Sequence, residues 1–357
     1  MMEKIPVKKL LSMLDAEKYV DETGRYGLYG GYGGLAMICY LFARETGEGI
    51  LQEKAQILLE EVSTHISTAD DLSFSTGLTG IGWVVEWLVQ NELLKDTNTD
   101  EVLEGIDDVL YKQVMFDRDH NMSLASGTLG KIAYFLKREL SENPNTHHFR
   151  RIYNQECLTV LIDDLEEGLS GDKGLLHRKD VAQVDPIDLA IPAVSLIVTA
   201  SITTVNATAA EKILYDSARY AEDVLAAFLK EKVALDPDLS LAMLYLAVCY
   251  LIAGNIHQQP HWISTGRKYI RTLSRTIAPS EQLNEVQLYR KLAVLSLVQV
   301  HCQSAQNLRE IENLITKLAA APANFSLLNG LGTIWLAELG ISHPGIIDNW
   351  HEILLIA

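Results

Sequence analysis

The stretch Gly77 to Leu88, GLTGIGWVVEWL, sets Gly77 and Gly80 three apart, directly ahead of an apolar helix in which Trp83 and Trp87 stand one turn from each other. The design recurs as Gly31-x-x-Gly34 in GYGGLAMICYLF and as Gly127-x-x-Gly130 in GTLGKIAYFL. It appears once more, with Gly330 alone, in NGLGTIWLAEL. Glycine in the first turns of a helix costs about 1 kcal/mol against alanine. Its repetition implies that a neighbouring backbone or a ligand comes close where a Cβ would collide.

Each such segment is followed by a charged amphipathic helix, and the pair recurs at the spacing of helical-hairpin arrays. Apolar segments begin near Gly31, Gly77, Gly127, Pro186, Pro237, Val286 and Leu328. Their partners span residues 50–66, 100–114, 148–169, 209–229, 262–276, 305–319 and 345–356, with apolar residues at helical spacing. A helix apolar all round must be covered on every side, whereas a helix with one charged face must meet water. Seven inner helices ringed by seven outer ones satisfy both demands. The expected fold is therefore all-α, an α/α toroid (barrel) of helical hairpin repeats forming a single domain over residues 1–357. Residues 1–20 add an N-terminal amphipathic helix. An open solenoid would use the same hairpins. Its terminal units would need polar caps, and here they carry the same apolar helix as the middle ones.

The 48% of apolar residues provide for a core, and a net charge of −17 argues against nucleic acid or anionic membrane as partners. The apolar runs 189–205 and 239–254 are shorter than the roughly 20 residues that cross a bilayer and read as buried helices. With no signal-like segment and four dispersed cysteines, the expected compartment is cytoplasmic, with reduced thiols.

Candidate chemistry is sparse. Asp185-Pro186 and Asp236-Pro237 read as helix caps with proline at the first helical position, and Asp188 and Asp238 follow in the first turn. If the inner helices start at one face, these four carboxylates gather near one mouth. Ser75, Thr76, Thr79, Ser123, Ser126 and Thr128 cluster where N-caps belong. Tyr26, Tyr29 and Tyr32, interleaved with glycines, form either a ligand-contacting rim or packing on a neighbouring loop. His301-Cys302 is the only adjacent His/Cys pair, and Cys39 and Cys249 read as small buried hydrophobes. His257 and His261 are separated by Pro260 and are not expected to share a helix face.

Seven hairpins whose inner helices open on G-x-x-G, with runs such as GLAMICYLFARETGE, GIGWVVEWL and GTIWLAELG, resemble the lanthionine synthetase C-like (LanC-like) family across roughly Tyr26 to Gly340. The resemblance implies an α/α toroid whose central zinc activates a peptide cysteine to add to a dehydrated serine or threonine, forming a thioether. The family holds that zinc with a cysteine in Trp-Cys-x-Gly at the fifth inner helix and a Cys-His pair before glycine at the seventh. This chain reads Ala234-Leu235-Asp236-Pro237 and Leu328-Asn329-Gly330 at those places. Where the family carries a proton-transferring His-Gly at the fourth inner helix, it reads Leu189-Ala190.

The expectation is thus a LanC-like protein without zinc or other cofactor and without cyclase activity, a pseudoenzyme. It would act in the maturation of a ribosomal peptide by binding the peptide substrate or a partner maturation enzyme. Tyr29, Tyr32, Asp185, Asp188, Asp236, Asp238 and Asn329 are the expected contacts, and Gly31, Gly34, Gly77, Gly80, Gly127, Gly130 and Gly330 the structural glycines. Two alternatives remain: a metal-free toroidal glycoside hydrolase using paired carboxylates, and an active cyclase whose zinc ligands come from His301, Cys302, Cys249 and the aspartates.

Overall fold

A glycine N-cap has no side chain to satisfy the open N–H groups of a helix, so another part of the chain must do it. In a computed structural model, which describes residues 24–66, 69–118, 120–143, 148–178, 184–231, 236–320, 324–343 and 352–353, the preceding loop takes that role. Helices α1 (Tyr32–Thr46), α3 (Leu78–Gln90), α6 (Thr128–Glu139) and α14 (Leu331–Ser342) each begin one residue after an extended glycine. None has a side-chain cap. Instead the first helical N–H reaches the carbonyl seven residues earlier: Tyr32 to Arg25 (2.7 Å), Leu78 to Asp71 (2.9 Å), Thr128 to Asn121 (2.7 Å) and Leu331 to Asn324 (3.1 Å).

This clasp explains the glycines. A Cβ on Gly77, Gly127 or Gly330 would overlap the carbonyl of Asp71, Asn121 or Asn324, and one on Gly34 or Gly80 would overlap that of Leu28 or Phe74. The close approach expected of the motif is backbone on backbone. The hydroxyls expected as N-caps have a different task. Thr76 Oγ1 donates to the Asp71 carboxylate (2.6 Å), and Thr79 Oγ1 to the Leu72 carbonyl (2.5 Å), so they brace the loop and leave the helix start to glycine.

Fourteen α-helices and no strand occur among the described residues. The outer helices are α2 (Gly49–Ile66), α4 (Thr99–Val102) with α5 (Glu104–Phe116), α7 (His148–Ser170), α9 (Ala207–Glu231), α11 (Pro260–Leu273) and α13 (Ala305–Leu318). The remaining inner helices are α8 (Ala190–Ala200), α10 (Pro237–Ile256) and α12 (Glu285–Cys302). The expected N-terminal helix and all but residues 352–353 of the seventh outer helix lie outside the described residues. Residues group into two compact units, Asn98–Gln287 forming one, and Thr97 and its predecessors with Leu288–Leu355 the other.

In the second of these units, α1 packs against α2, α3 and α14, so the last inner helix meets the first. Leu327 N–H donates to the Tyr29 carbonyl at 2.8 Å, and Trp335 stands edge-on to Phe42 at 6.5 Å. Trp83 and Trp87 are buried and stacked at 6.2 Å.

In the Asn98–Gln287 unit, α8 lies against both α6 and α10, while α7, α9 and α11 cover α6, α8 and α10 in turn. Helix α10 is long and apolar enough to cross a membrane by length and composition, and most of it is buried within the fold. Gly254 on α10 faces Trp262 and Gly266 on α11 faces Leu251, which brings the two helices close. A buried ion pair fixes α6 to its outer neighbours. Arg138 binds Asp107 (2.9 Å), Asp100 (2.9 Å) and Thr99 Oγ1 (3.0 Å), and Tyr134 donates to Asp107 (2.5 Å).

One helix start differs from expectation. The fourth inner helix begins at Ala190, after a turn over residues 186–189, rather than at Pro186. Pro192 supplies the reason. A helix begun at Pro186 would hold Pro192 in its interior, without an N–H for the Asp188 carbonyl and with its ring against it. Starting at Ala190 puts Pro192 in the first turn, where that bond is not needed.

Candidate functional site

Loops ahead of inner helices carry the residues expected as contacts, so the candidate site is built from them. Ahead of α8, Asp185 accepts the Ile187 N–H at 2.9 Å and so stabilises the turn rather than capping a helix. Asp188 pairs with Arg178 at 3.4 Å across a half-exposed contact and lies close enough to Tyr220 to matter electrostatically. Burial first, and Asp188 second, push the Tyr220 hydroxyl up to about 12. Ahead of α10, Asp236 is the expected N-cap, accepting from Asp238 N–H at 3.2 Å with Pro237 at the first position. Asp238 accepts from Gln287 Nε2 at 2.8 Å. These carboxylates thus stand at the starts of two inner helices that pack side by side, and all four are at least partly exposed. Asn329, exposed before α14, gives its N–H to Ser326 Oγ at 3.3 Å.

The tyrosines are placed differently from the expected rim. Tyr29 is 9% exposed and Tyr32 6% exposed, which leaves each ring almost no free face. Tyr29 packs edge-on to Phe74 at 6.4 Å, and burial raises its hydroxyl pKa far above the usual value. Its N–H donates to Ser75 (2.9 Å) and its carbonyl accepts from Leu327 (2.8 Å), so one residue joins the first, second and last repeats. Tyr32 takes its hydroxyl partner from Arg25 (2.7 Å). Of the two readings open for these residues, packing on a neighbouring loop describes Tyr29, while Tyr32 packs on Arg25 and Tyr26 of its own loop.

A cleft of about 190 Å³ lies between these loops and the end of α2, lined among others by Arg25, Tyr26, His65, Asp70, Asp71 and Thr76. Tyr26 stacks on His65 at 4.1 Å and reaches His65 Nε2 at 2.9 Å. Asp71 accepts from Thr76 Oγ1 (2.6 Å), Ser73 Oγ (3.0 Å) and Ser73 N–H (2.8 Å). Burial alone would raise its pKa, but these hydrogen bonds together hold it below the ordinary value. A carboxylate held ionised in this way is a weak proton acceptor, better suited to binding a donor or cation than to general-base work. The sequence signal missed here is an Asx-x-Ser six residues before the glycine. It recurs as Asp71-Leu72-Ser73 and Asn121-Met122-Ser123, with Asn121 accepting from Ser123 N–H at 2.9 Å, and as Asn324-Phe325-Ser326.

Zinc requires three or four converging donors, and a thiol must ionise to be one. Asp236 is engaged as a helix cap, and Leu328, Asn329, Leu189 and Ala190 provide neither thiolate nor imidazole. Cys39 and Cys157 are buried, and that burial pushes their thiols up to about 12; Cys249 is shifted further still by the same cause. His301 and Cys302 stand at the far end of α12 from its start. Among the described residues no group of three or more His, Cys, Asp or Glu is placed to hold a metal ion. The residues at these positions do not fit the zinc implied by the family resemblance.

Neither a protein-family model nor a curated protein sequence matches the chain. Among solved structures, nisin cyclase is similar, with a TM-score of 0.65 at 13% sequence identity over 98% of this chain and 96% of that one. At that identity the likeness establishes the fold, an α/α toroid of inner and outer helices built from helical hairpins.

Proposed function

We propose that the chain is a binding component in the modification of a ribosomally made peptide, holding the peptide itself or a partner maturation enzyme, without zinc-dependent cyclase chemistry. One observation carries this reading. The fold of nisin cyclase is kept along almost the whole chain, yet the helix starts where the resembled family keeps its metal donors present capping and apolar residues. The net charge of −17 favours a basic peptide, and Asp185, Asp188, Asp236, Asp238 and Asn329 form the proposed contact set. Tyr29 and Tyr32 drop out of that set because their rings are buried.

The deciding experiment pairs elemental analysis with peptide binding. Purified without chelator, the chain is expected to hold no stoichiometric zinc, and a labelled basic peptide is expected to bind about tenfold more weakly to Asp188→Lys/Asp238→Lys. About one tightly held zinc per chain overturns the reading in favour of a cyclase. Unchanged peptide affinity in the double variant removes the contact set.

A further inference from the structure

A groove of about 590 Å³ opens on outer helices of the Asn98–Gln287 unit. On one wall Glu104 and Asp108, one turn apart, share a face of α5, and Asp100 and Glu101 of the short α4 stand beside them. Phe149 and Tyr153, one turn apart on α7, form the other wall and are 70% and 43% exposed. A phenylalanine left this open contributes little to the core, so its position is not explained by packing.

The charges in the groove do not balance. Arg150 pairs with Glu104 (2.7 Å) and Asp108 (3.4 Å). Asp100 Oδ1 accepts from Arg138 (2.9 Å) and Asn143 (3.1 Å), while its Oδ2 accepts no hydrogen bond among the described residues. With Asp100 matched by Arg138, one guanidinium, Arg150, stands among the other three carboxylates, next to two open rings. A lysine or arginine side chain answers both features, its stem and cation lying on an aromatic face and its N–H groups on a carboxylate. A second copy of the chain is a poor occupant, because each copy carries −17. Nucleic acid is excluded by the same sign.

We propose that this groove docks a basic peptide segment of a partner protein, setting its cationic side chains over Phe149 and Tyr153 and against Glu101, Glu104 and Asp108. The inference stands on the groove alone and does not depend on the role proposed above. A short fluorescein-labelled peptide of arginine, lysine, glycine and serine is titrated by anisotropy against the full chain. Glu101→Lys/Phe149→Ser alters two exposed side chains and is checked for an unchanged thermal melt. It is expected to weaken binding about tenfold, the sum of one exposed ion pair and one cation–π contact. Glu211→Lys, an exposed change of equal charge on α9, is expected to leave affinity unchanged. Equal losses in both variants overturn the groove, since net charge alone would then explain binding. Binding lost in Asp188→Lys/Asp238→Lys but kept in the groove variant also overturns it, while leaving the inner-helix contact set standing. A self-association abolished by Phe149→Ser assigns the face to a second copy and overturns it too.

Discussion

Gly80 sits in the first turn of α3, where alanine would ordinarily be the better helix former by about 1 kcal/mol. The Phe74 carbonyl occupies the space a Cβ would need, and it has little room to retreat. Phe74 is 1% exposed and wedged between Trp83 at 5.8 Å and Tyr29 at 6.4 Å. Gly80→Ala is therefore expected to destabilise the protein by at least about 2 kcal/mol, the scale of overpacking in a rigid core. Gly105 supplies the contrast: it is helical and exposed, and a Cβ there meets nothing within 4 Å. Gly105→Ala is expected to raise stability by up to about 1 kcal/mol. Thermal melts of the two variants side by side check the clasp, because a Gly80→Ala protein as stable as the parent would mean that the loop yields.

At the scale of elements, the two Asp-Pro pairs look alike in sequence and do different work. Asp236 caps a twenty-residue buried helix, whereas Asp185 only stabilises the turn ahead of α8. Asp236→Ala is accordingly expected to cost about 0.5–2 kcal/mol in urea unfolding, and Asp185→Ala less than that. An equal loss at both positions would mean that the turn before α8 behaves as helix. The difference was legible in principle, since Pro192 forbids a helix running from Pro186 through it. The amphipathic helices were legible for a simpler reason: periodicity records which face of a segment is buried. It does not record which partner a buried charge finds. Arg138 looks like an ordinary basic residue near the end of an inner helix, yet it is 3% exposed and holds Asp107 and Asp100 across three elements. The candidate cleft escaped notice likewise, because Asp71 and Ser73 gain meaning only once the loop curls over Gly77.

Across the whole chain, the recurrence of glycine-led helices implied repeats, and the choice between a ring and an open array rested on the absence of polar terminal units. The likeness to nisin cyclase gives the ring, and the contacts between the first and last repeats are of the kind a ring requires. In an open array those units are the farthest apart. Here Leu327 donates to Tyr29, His343 on the far end of α14 pairs with Glu45 on α1, and Trp335 meets Phe42. Tyr29 could not be read this way from sequence, since its joining role belongs to its backbone and any residue type has that backbone. Closure has a measurable consequence. In a double-mutant cycle, Phe42→Leu and Trp335→Leu are expected to be coupled by about 0.5–1.5 kcal/mol, the range for an edge-to-face aromatic pair beyond its buried area. The truncations are modest, so each variant should retain enough structure for urea unfolding to be followed by tryptophan fluorescence. Additive losses would separate the chain's two ends energetically and favour the open array. A coupling in the expected range would mean that residues nearly three hundred positions apart stabilise one another directly, as a ring of hairpins requires and a solenoid forbids.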